Sequence, residues 1–323
     1  MKILITGGAG FLGQRLASQL LAGNTLNGKT ITEVVLLDVA RPTNDRLLGD
    51  ARVRAVTGDI SDRAVLERYI DTGTEAVFHL AAIVSGQAEA DFDLGMRINL
   101  DASRALLEVC RAAGHAPRVL FTSSVAVYGG ALPDVVQDDT ALNPQSSYGA
   151  QKAIAELLLC DYSRRGFVDG RVLRLPTISV RPGKPNAAAS SFASGIIREP
   201  LNGERSVCPV DGATRLWLLS PKSAVKALIA GCEIDRAKFG NRPVINLPGL
   251  SVSVNEMIAA LREVAGDEAV ARIDWQRDER VEKIVGSWPG QWDVARAHAL
   301  GLAGDENFAD VIRAYLADEG LSA

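Results

Sequence analysis

The sequence predicts an α/β fold, a doubly wound parallel sheet with a smaller C-terminal part split between two segments. Three observations carry this prediction. Short apolar runs alternate with amphipathic stretches through the first half of the chain. Most runs are apolar along their length rather than at every second residue, the pattern of strands covered on both faces. A glycine-rich turn joins the first run to the first amphipathic stretch.

Lys2–Thr6 is the first strand, and Gly13–Ala22 follows as a helix with Leu16 and Leu20 on one face. Further strands are expected at Glu33–Asp38, Val53–Gly58, Ala76–Leu80, Arg118–Ser123 and Gly170–Leu175. Helices fall between them at Arg63–Tyr69, which Ser61 could cap, at Asn99–Ala113 and at Tyr148–Arg164. After Leu175 the character changes, and Pro176–Asn202 is rich in Pro, Gly, Ser and Ala. Short strands at Trp217–Leu219 and Val244–Leu247 flank a helix at Pro221–Cys232, and both strands are assigned to the main sheet. Ser253–Val264 and Phe308–Asp318 read as C-terminal helices. The expected division is 1–175 with 216–247 as a dinucleotide-binding domain, and 176–215 with 248–323 as a substrate-binding domain.

Composition narrows the function. The 323 residues are 47% hydrophobic and 23% charged, which argues against disorder. A net charge of −4 lacks the basic footprint of a nucleic-acid binder and the cationic clusters that hold a protein on anionic lipid. No apolar stretch approaches the roughly 20 residues that span a bilayer. Ile3-Leu4-Ile5 after Met1-Lys2 is too short for a signal-peptide core. Cys110, Cys160, Cys208 and Cys232 form no CxxC pair and no metal-ligand spacing, so reduced thiols, no metal and a cytoplasmic location are expected.

Gly7, Gly10 and Gly13 are spaced G-x-x-G-x-x-G between the first strand and helix. One glycine makes the tight turn, one lets the backbone approach a pyrophosphate, and one lets helix pack on strand. The pyrophosphate then rests on the positive end of the helix. Asp38 ends the next strand, where a carboxylate can accept from both ribose hydroxyls of NAD and repel a 2′-phosphate. Arg41 nearby keeps NADP open. Asp59-Ile60, after the third strand, would sit beside the adenine or simply enter a helix.

Tyr148 and Lys152 form Y-x-x-x-K, which places both side chains on one helical face. An ammonium beside the phenol is expected to favour the phenolate, and the cationic ring of an oxidised nicotinamide would act in the same direction, making Tyr148 a general base. Phe121-Thr122-Ser123-Ser124 ends the fifth strand, the edge where open α/β sheets bind ligands, and a serine there can hydrogen-bond the substrate oxygen.

With these residues in hand, the sequence resembles an extended short-chain dehydrogenase/reductase of the NAD-dependent epimerase/dehydratase superfamily, a Rossmann fold. TGGAGFLG at Thr6–Gly13, Asp38, GDI at Gly58–Ile60, HLAA at His79–Ala82, Asn99, TSSVAVYG at Thr122–Gly129, YGAQK at Tyr148–Lys152 and RLPTISVRPG at Arg174–Gly183 carry the resemblance. It implies Ser124, Tyr148 and Lys152 as the catalytic set. It implies Gly7, Gly10, Phe11, Leu12, Gly13, Asp38, Asp59, Ile60, Leu80, Ala81, Ala82, Asn99, Ser123, Tyr148, Lys152, Pro176 and Thr177 as NAD-binding positions. Within that set, Ser123 lies by the nicotinamide and Lys152 holds its ribose; outside it, Tyr128 and His79 are read as structural rather than catalytic.

Sugar-nucleotide members usually carry an acidic residue and a histidine after an arginine that grips the diphosphate. Here Arg215 is kept but Leu216-Trp217-Leu218-Leu219 follow, and Ile83–Gln87 replaces a proline-and-aromatic segment. Both departures argue against a nucleotide sugar. The tracts His79–Gly95 and Arg174–Glu204 resemble a group of the family that oxidises C2 of a four-carbon sugar acid to the 2-oxo acid. Arg181 or Arg215 could hold the carboxylate, since a guanidinium matches it bidentately. Ser85, Gln87 and Asn186, with Ser124 and Tyr148, are candidates for the hydroxyls. An acidic chain does not attract an anion, so a local arginine must. A sugar or nucleotide-sugar epimerase using the same set remains the second reading, and a silent NAD-sensing protein the third. The resemblance also implies a homodimer through helices Asn99–Ala113 and Tyr148–Arg164, whose apolar faces (Leu106, Leu107, Cys110; Ile154, Leu157, Leu158, Tyr162) could equally pack on the sheet.

Overall fold

A computed structural model of the chain describes residues 1–185, 188, 190–286 and 288–321. It forms two compact units. The first comprises Met1–Val127, Ser146–Arg174 and Val225–Ile245; the second comprises Tyr128–Gln145, Leu175–Ala224 and the chain from Asn246 onward.

The first unit is built on strands β1 (Lys2–Thr6), β2 (Glu33–Asp38), β3 (Val53–Thr57), β4 (Thr74–His79), β5 (Arg118–Ser124) and β6 (Asp169–Leu175). The apolar runs of β1, β2 and β4 are buried on both faces: Ile3, Leu4, Ile5, Val34, Val35, Leu36, Leu37, Val77 and Phe78 have no exposed surface, whereas β3 at the edge of the sheet is largely exposed. β1 pairs parallel with β2 and β4, β2 with β3, and β4 with β5. The chain thus runs outward from β1 to β3, then returns to the other side of β1 at β4. Ligands of open α/β sheets bind at such a switch point, outside the carboxyl ends of the strands. Here those ends are the glycine-rich turn after β1 and His79-Leu80-Ala81-Ala82 after β4.

Helix α1 (Phe11–Gly23) stops at Asn24, which takes a left-handed conformation and donates to the Leu20 carbonyl. Helix α2 (Arg63–Tyr69) is capped by Asp62, whose side chain accepts from Ala64 N, and not by the expected Ser61. Ser61 lies one position too far out and donates instead to Asp59. The expected helix from Asn99 becomes α-helical only at Ala102; α3 spans Ala102–Ala113, and Met96–Asp101 before it is a π-helix. Helix α4 (Ser147–Arg164) is capped by Ser146, which accepts from Gly149 N. The two expected apolar faces differ. Leu106, Leu107 and Cys110 are buried, whereas Ile154 is 41% and Leu157 66% exposed.

The second unit holds β7 (Thr177–Ile178), α5 (Ser191–Leu201), β8 (Arg215–Leu219) and the start of α6 (Pro221–Glu233). β9 (Val244–Asn246) ends the last segment of the first unit, and β10 (Leu250–Ser253), α7 (Val254–Val270) and α8 (Phe308–Glu319) follow in the second. β9 joins the main sheet as expected, giving the order β9-β6-β5-β4-β1-β2-β3. β8 does not. It lies in a separate three-stranded sheet, parallel to β7 and antiparallel to β10. Leu216 and Leu218 are buried while Trp217 between them is not, so this strand covers one face only, unlike the two-sided strands of the main sheet. Leu216 and Leu218 pack in a core with Val180, Ile196, Met257 and Ile312. Among the described residues no helix is long and apolar enough to cross a membrane.

Candidate active site

The turn after β1 has no room for side chains. Gly7 has a φ of +71°, and a Cβ there would lie 2.8 Å from Ala81 N. A Cβ on Gly13 would lie 2.3 Å from the Gly7 carbonyl oxygen. Gly10, the residue before α1, offers no side-chain cap, so the helix end formed by Phe11, Leu12 and Gly13 is left for an external anion. Asp38 meets this turn: its Oδ2 accepts from Ala9 N at 3.0 Å and its Oδ1 from Ala40 N at 3.1 Å. Arg41 is exposed. Gln14, which sequence reasoning missed, ties the same region together. Its Nε2 donates to the Ala9 carbonyl at 2.7 Å, and its Oε1 accepts from Thr43 N and Asn44 N, each at 3.0 Å.

A buried network fixes the segment after β4. Thr6 O accepts from Leu80 N, and Thr6 Oγ1 accepts from Ala81 N at 3.3 Å. Thr6 Oγ1 also meets His79 Nδ1 at 2.7 Å, and His79 Nε2 meets Ser103 Oγ at 2.9 Å. Ser103 donates its proton to the Asn99 carbonyl, so it accepts from Nε2–H, and Nδ1 accepts from Thr6. Burial, with the Lys152 charge acting in the same direction, pushes the His79 imidazole down to about 3. His79 is therefore a neutral structural residue. Asn99, in the π-helix, accepts from Ile83 N at 2.8 Å and donates to the Ile83 carbonyl and to Gln151 Oε1. The next residue on that segment, Ala82, is half-buried.

Asp59 accepts from Ser61 N and Oγ at 2.8 Å and pairs with Arg97 at 3.2 Å. Burial opposes its ionisation, but these bonds outweigh it and hold the carboxyl below its ordinary value. The Ile60 side chain is buried in the core.

β5 delivers Ser123 and Ser124, and the first turns of α4 deliver Tyr148 and Lys152. Ser124 Oγ accepts from Ala126 N at 3.1 Å and, set beside Tyr148, favours the ionised form of its phenol. Lys152 is buried; its Nζ donates to the Thr122 carbonyl at 2.9 Å and lies 5.7 Å from the centre of the Tyr148 ring. The three side chains expected to act together are thus brought together, as i, i+4 neighbours opposite a strand end. Without the cofactor's charge, burial dominates their ionisation. Burial pushes Tyr148 up to about 12, with Ser124 acting weakly the other way. Burial also pulls Lys152 down to about 7, against the pull of Glu156 one turn along the helix. Desolvation outweighs the mutual effect of the pair in the protein alone. Sequence reasoning also missed that Glu156 is locked in a buried bidentate ion pair with Arg174, at 2.6 and 2.9 Å.

The Ser123 hydroxyl is buried with no hydrogen-bond partner among the described residues. An orphaned hydroxyl beside Ser124, a glycine cradle closed to any Cβ, and a carboxylate held against that cradle fit a dinucleotide with a polar amide at one end and ribose hydroxyls at the other.

Of the remaining candidates, Ser85 is half-buried and Gln87 exposed on a short helix, Ser85–Ala90. Pro176 is buried and Thr177 opens β7. Asn186 lies outside the described residues. Arg215 is tied to the Ser251 carbonyl at 2.9 Å and to Glu256 at 3.3 Å. Arg181 donates its N–H to Ser194 Oγ at 3.0 Å, and its guanidinium reaches Ser190 Oγ at 3.5 Å. All four cysteines are free, and no group of metal-ligating side chains occurs among the described residues.

A two-sided parallel sheet with a glycine cradle at its switch point and a Ser-Tyr-Lys set on the next strand end defines a nucleotide-dependent oxidoreductase site. The family model described as "NAD dependent epimerase/dehydratase family" matches residues 3–230, and the chain belongs to that family; its cofactor is NAD. The chain is 68% identical over 326 residues to a D-erythronate dehydrogenase of Cupriavidus necator, covering all of both chains. It is 48% identical over 316 residues to a D-erythronate dehydrogenase of Haemophilus influenzae, covering 98% of this chain and 99% of that one. Among solved structures, a protein described as a nucleoside-diphosphate-sugar epimerase from Agrobacterium tumefaciens superposes with a TM-score of 0.94 at 46% identity, covering 100% of this chain and 95% of that one.

Proposed function

We propose that this protein oxidises the C2 hydroxyl of D-erythronate to the 2-oxo acid with NAD. The observation that carries the reading is the full-length 68% identity to a D-erythronate dehydrogenase, joined to an intact Ser124, Tyr148 and Lys152 set.

Gly7, Gly10, Phe11, Leu12 and Gly13 would hold the diphosphate, and Asp38 the adenosine ribose. Asp59 and Ile60 would border the adenine. Leu80, Ala81 and Ala82, fixed by Thr6 and Asn99, would line the cofactor. Ser123 would meet the carboxamide, Lys152 the second ribose, and Pro176 with Thr177 the same end. When bound, NAD supplies the hydride acceptor for C2 and a positive charge that favours the ionised phenol. Tyr148 Oη takes the hydroxyl proton as the carbonyl forms. Ser124 Oγ donates to the substrate oxygen while charge develops on it. Lys152 holds the phenolate once both are charged. Ser85, Gln87 and Asn186 are assigned to the remaining hydroxyls. Four free thiols support a cytoplasmic location, and the exposed Ile154 and Leu157 on one face of α4 support a homodimer.

NADH absorbance during turnover of D-erythronate tests the reading. Net NADH accumulation is expected, and Tyr148→Phe should lower the rate about 100-fold or more. Bound NAD with no net NADH would instead favour the epimerase reading, and near-wild-type turnover by Tyr148→Phe would remove Tyr148 from the mechanism.

A further inference from the structure

We propose that Gln151 is a positioning residue for the reaction, and that Gly95 is kept free of a side chain to seat it. The buried amide of Gln151, held by Asn99, ties the turn of α4 that carries Tyr148 and Lys152 to the segment after β4. The inference rests on the roles given to those two side chains above. All of these residues belong to the first unit.

Gln151 stands three positions after Tyr148 and one before Lys152, and both it and Asn99 are buried. The backbone decides which way the two amides face. The Ile83 N–H can only donate and its carbonyl can only accept. Asn99 Oδ1 therefore faces the Ile83 N–H at 2.8 Å, and Nδ2 donates to the Ile83 carbonyl at 3.1 Å. The second proton on Nδ2 goes to Gln151 at 2.7 Å, so the atom it meets is Oε1. Gln151 Nε2 is thereby turned away from Asn99, and it has no hydrogen-bond partner among the described residues. A buried, unpaired donor is unfavourable, so a side chain that only filled space would not be an amide. The bond to Asn99 is what the amide is there to make.

Gly95 supports the same reading. It ends the short helix Phe92–Gly95 in an ordinary helical conformation, φ −57° and ψ −50°, so its backbone does not require glycine. Space does. A Cβ there would lie 2.7 Å from Gln151 Nε2 and 3.1 Å from the Ala88 Cβ. The consequence for Tyr148 is geometric. Lys152 Nζ holds α4 to the Thr122 carbonyl on β5, and Gln151 holds it to Asn99. Adjacent residues of a helix point about 100° apart. One such tether sets a distance, and two in different directions also set the rotation of the helix about its axis. That rotation aims the Tyr148 phenol.

The test compares wild type, Gln151→Ala, Gly95→Ala and the double variant. Alanine suits a helix better than glycine, and the added methyl meets the far end of the Gln151 side chain, so Gly95→Ala should fold. With NAD and D-erythronate, each single variant should lose about 10-fold in kcat with KM nearly unchanged. The double variant should be no worse than Gln151→Ala, because the vacated space accepts the methyl. In the protein without NAD, amide hydrogen exchange should quicken about 10-fold at Ile83 in Gln151→Ala and stay unchanged at Leu80, which donates to the Thr6 carbonyl instead. Wild-type kcat in Gln151→Ala, or exchange that is unchanged at Ile83 or equally faster at Leu80, overturns the inference. Losses that add in the double variant, or no loss in Gly95→Ala, overturn the role of Gly95. If wild type fails on D-erythronate but oxidises another sugar acid, the proposed function fails and the same comparison on that acid judges Gln151. If Tyr148→Phe keeps wild-type turnover, the role of Tyr148 falls and that of Gln151 with it.

Discussion

Acid should unfold this protein through His79, and the size of the effect follows from its surroundings. The imidazole is buried between Thr6 and Ser103, beneath the segment that lines the proposed cofactor site. Its value falls from 6.5 to about 3 on folding. The unfolded chain therefore binds a proton that the folded chain rejects, so stability rises with pH across that window. The contribution is complete above the unfolded value and is lost as the pH falls toward about 3. At pH 5 the loss is about 2 kcal/mol. A protonated Nδ1 would also present a donor to Thr6 Oγ1 in place of the acceptor it now meets. His79→Gln keeps a donor and an acceptor but does not titrate. Urea unfolding of wild type and His79→Gln at pH 7.5 and pH 5 measures the difference. The wild type should be the more stable at pH 7.5, and the gap should narrow by about 2 kcal/mol at pH 5. A gap that stays constant between the two pH values would refute the reasoning, because His79 would then be charged or solvated in the folded state.

Two further outcomes follow from the first unit. Gly13→Ala places a methyl 2.3 Å from the Gly7 carbonyl oxygen, so the turn must shift; it should destabilise by about 1–3 kcal/mol and raise the NAD dissociation constant about 10-fold or more, measured by fluorescence titration. Glu156→Gln leaves the Arg174 charge buried without its partner and should cost about 3–5 kcal/mol in urea unfolding, whereas Glu156→Gln combined with Arg174→Met should regain most of that loss.

The parts of the site legible in the sequence are those where local geometry dictates residue identity. Only glycine tolerates the space at Gly7 and Gly13, so the cradle announces itself. The Tyr148 and Lys152 spacing announces itself because a helix makes i, i+4 residues neighbours. Partners distant in sequence were silent. Glu156 and Arg174 meet across 18 positions, and Gln14 reaches Thr43 and Asn44 across 29 and 30. The place of Arg215–Leu219 was misread because a short apolar strand does not say which sheet it joins; only the half-exposed Trp217 between two buried leucines marks it as one-sided. The π-helix at Met96–Asp101 has an ordinary helical composition and left no trace in the pattern.

Charge was the least legible quantity, and the Tyr148–Lys152 pair shows why. Spacing says that a lysine stands beside a tyrosine, which favours an ionised phenol, but it does not say how far both are withdrawn from water. Burial is a property of the whole fold, and it drives both groups toward neutrality, the phenol up to about 12 and the amine down to about 7. Lys152 is held at that level by an opposing carboxylate, Glu156, which Arg174 in turn keeps in place. Pairing alone therefore does not make the base. A phenolate near neutral pH needs further positive charge close to Tyr148, and among the described residues no other cation is placed over its ring. In the proposed reaction that charge would arrive with the oxidised cofactor, so NAD binding would complete the general base.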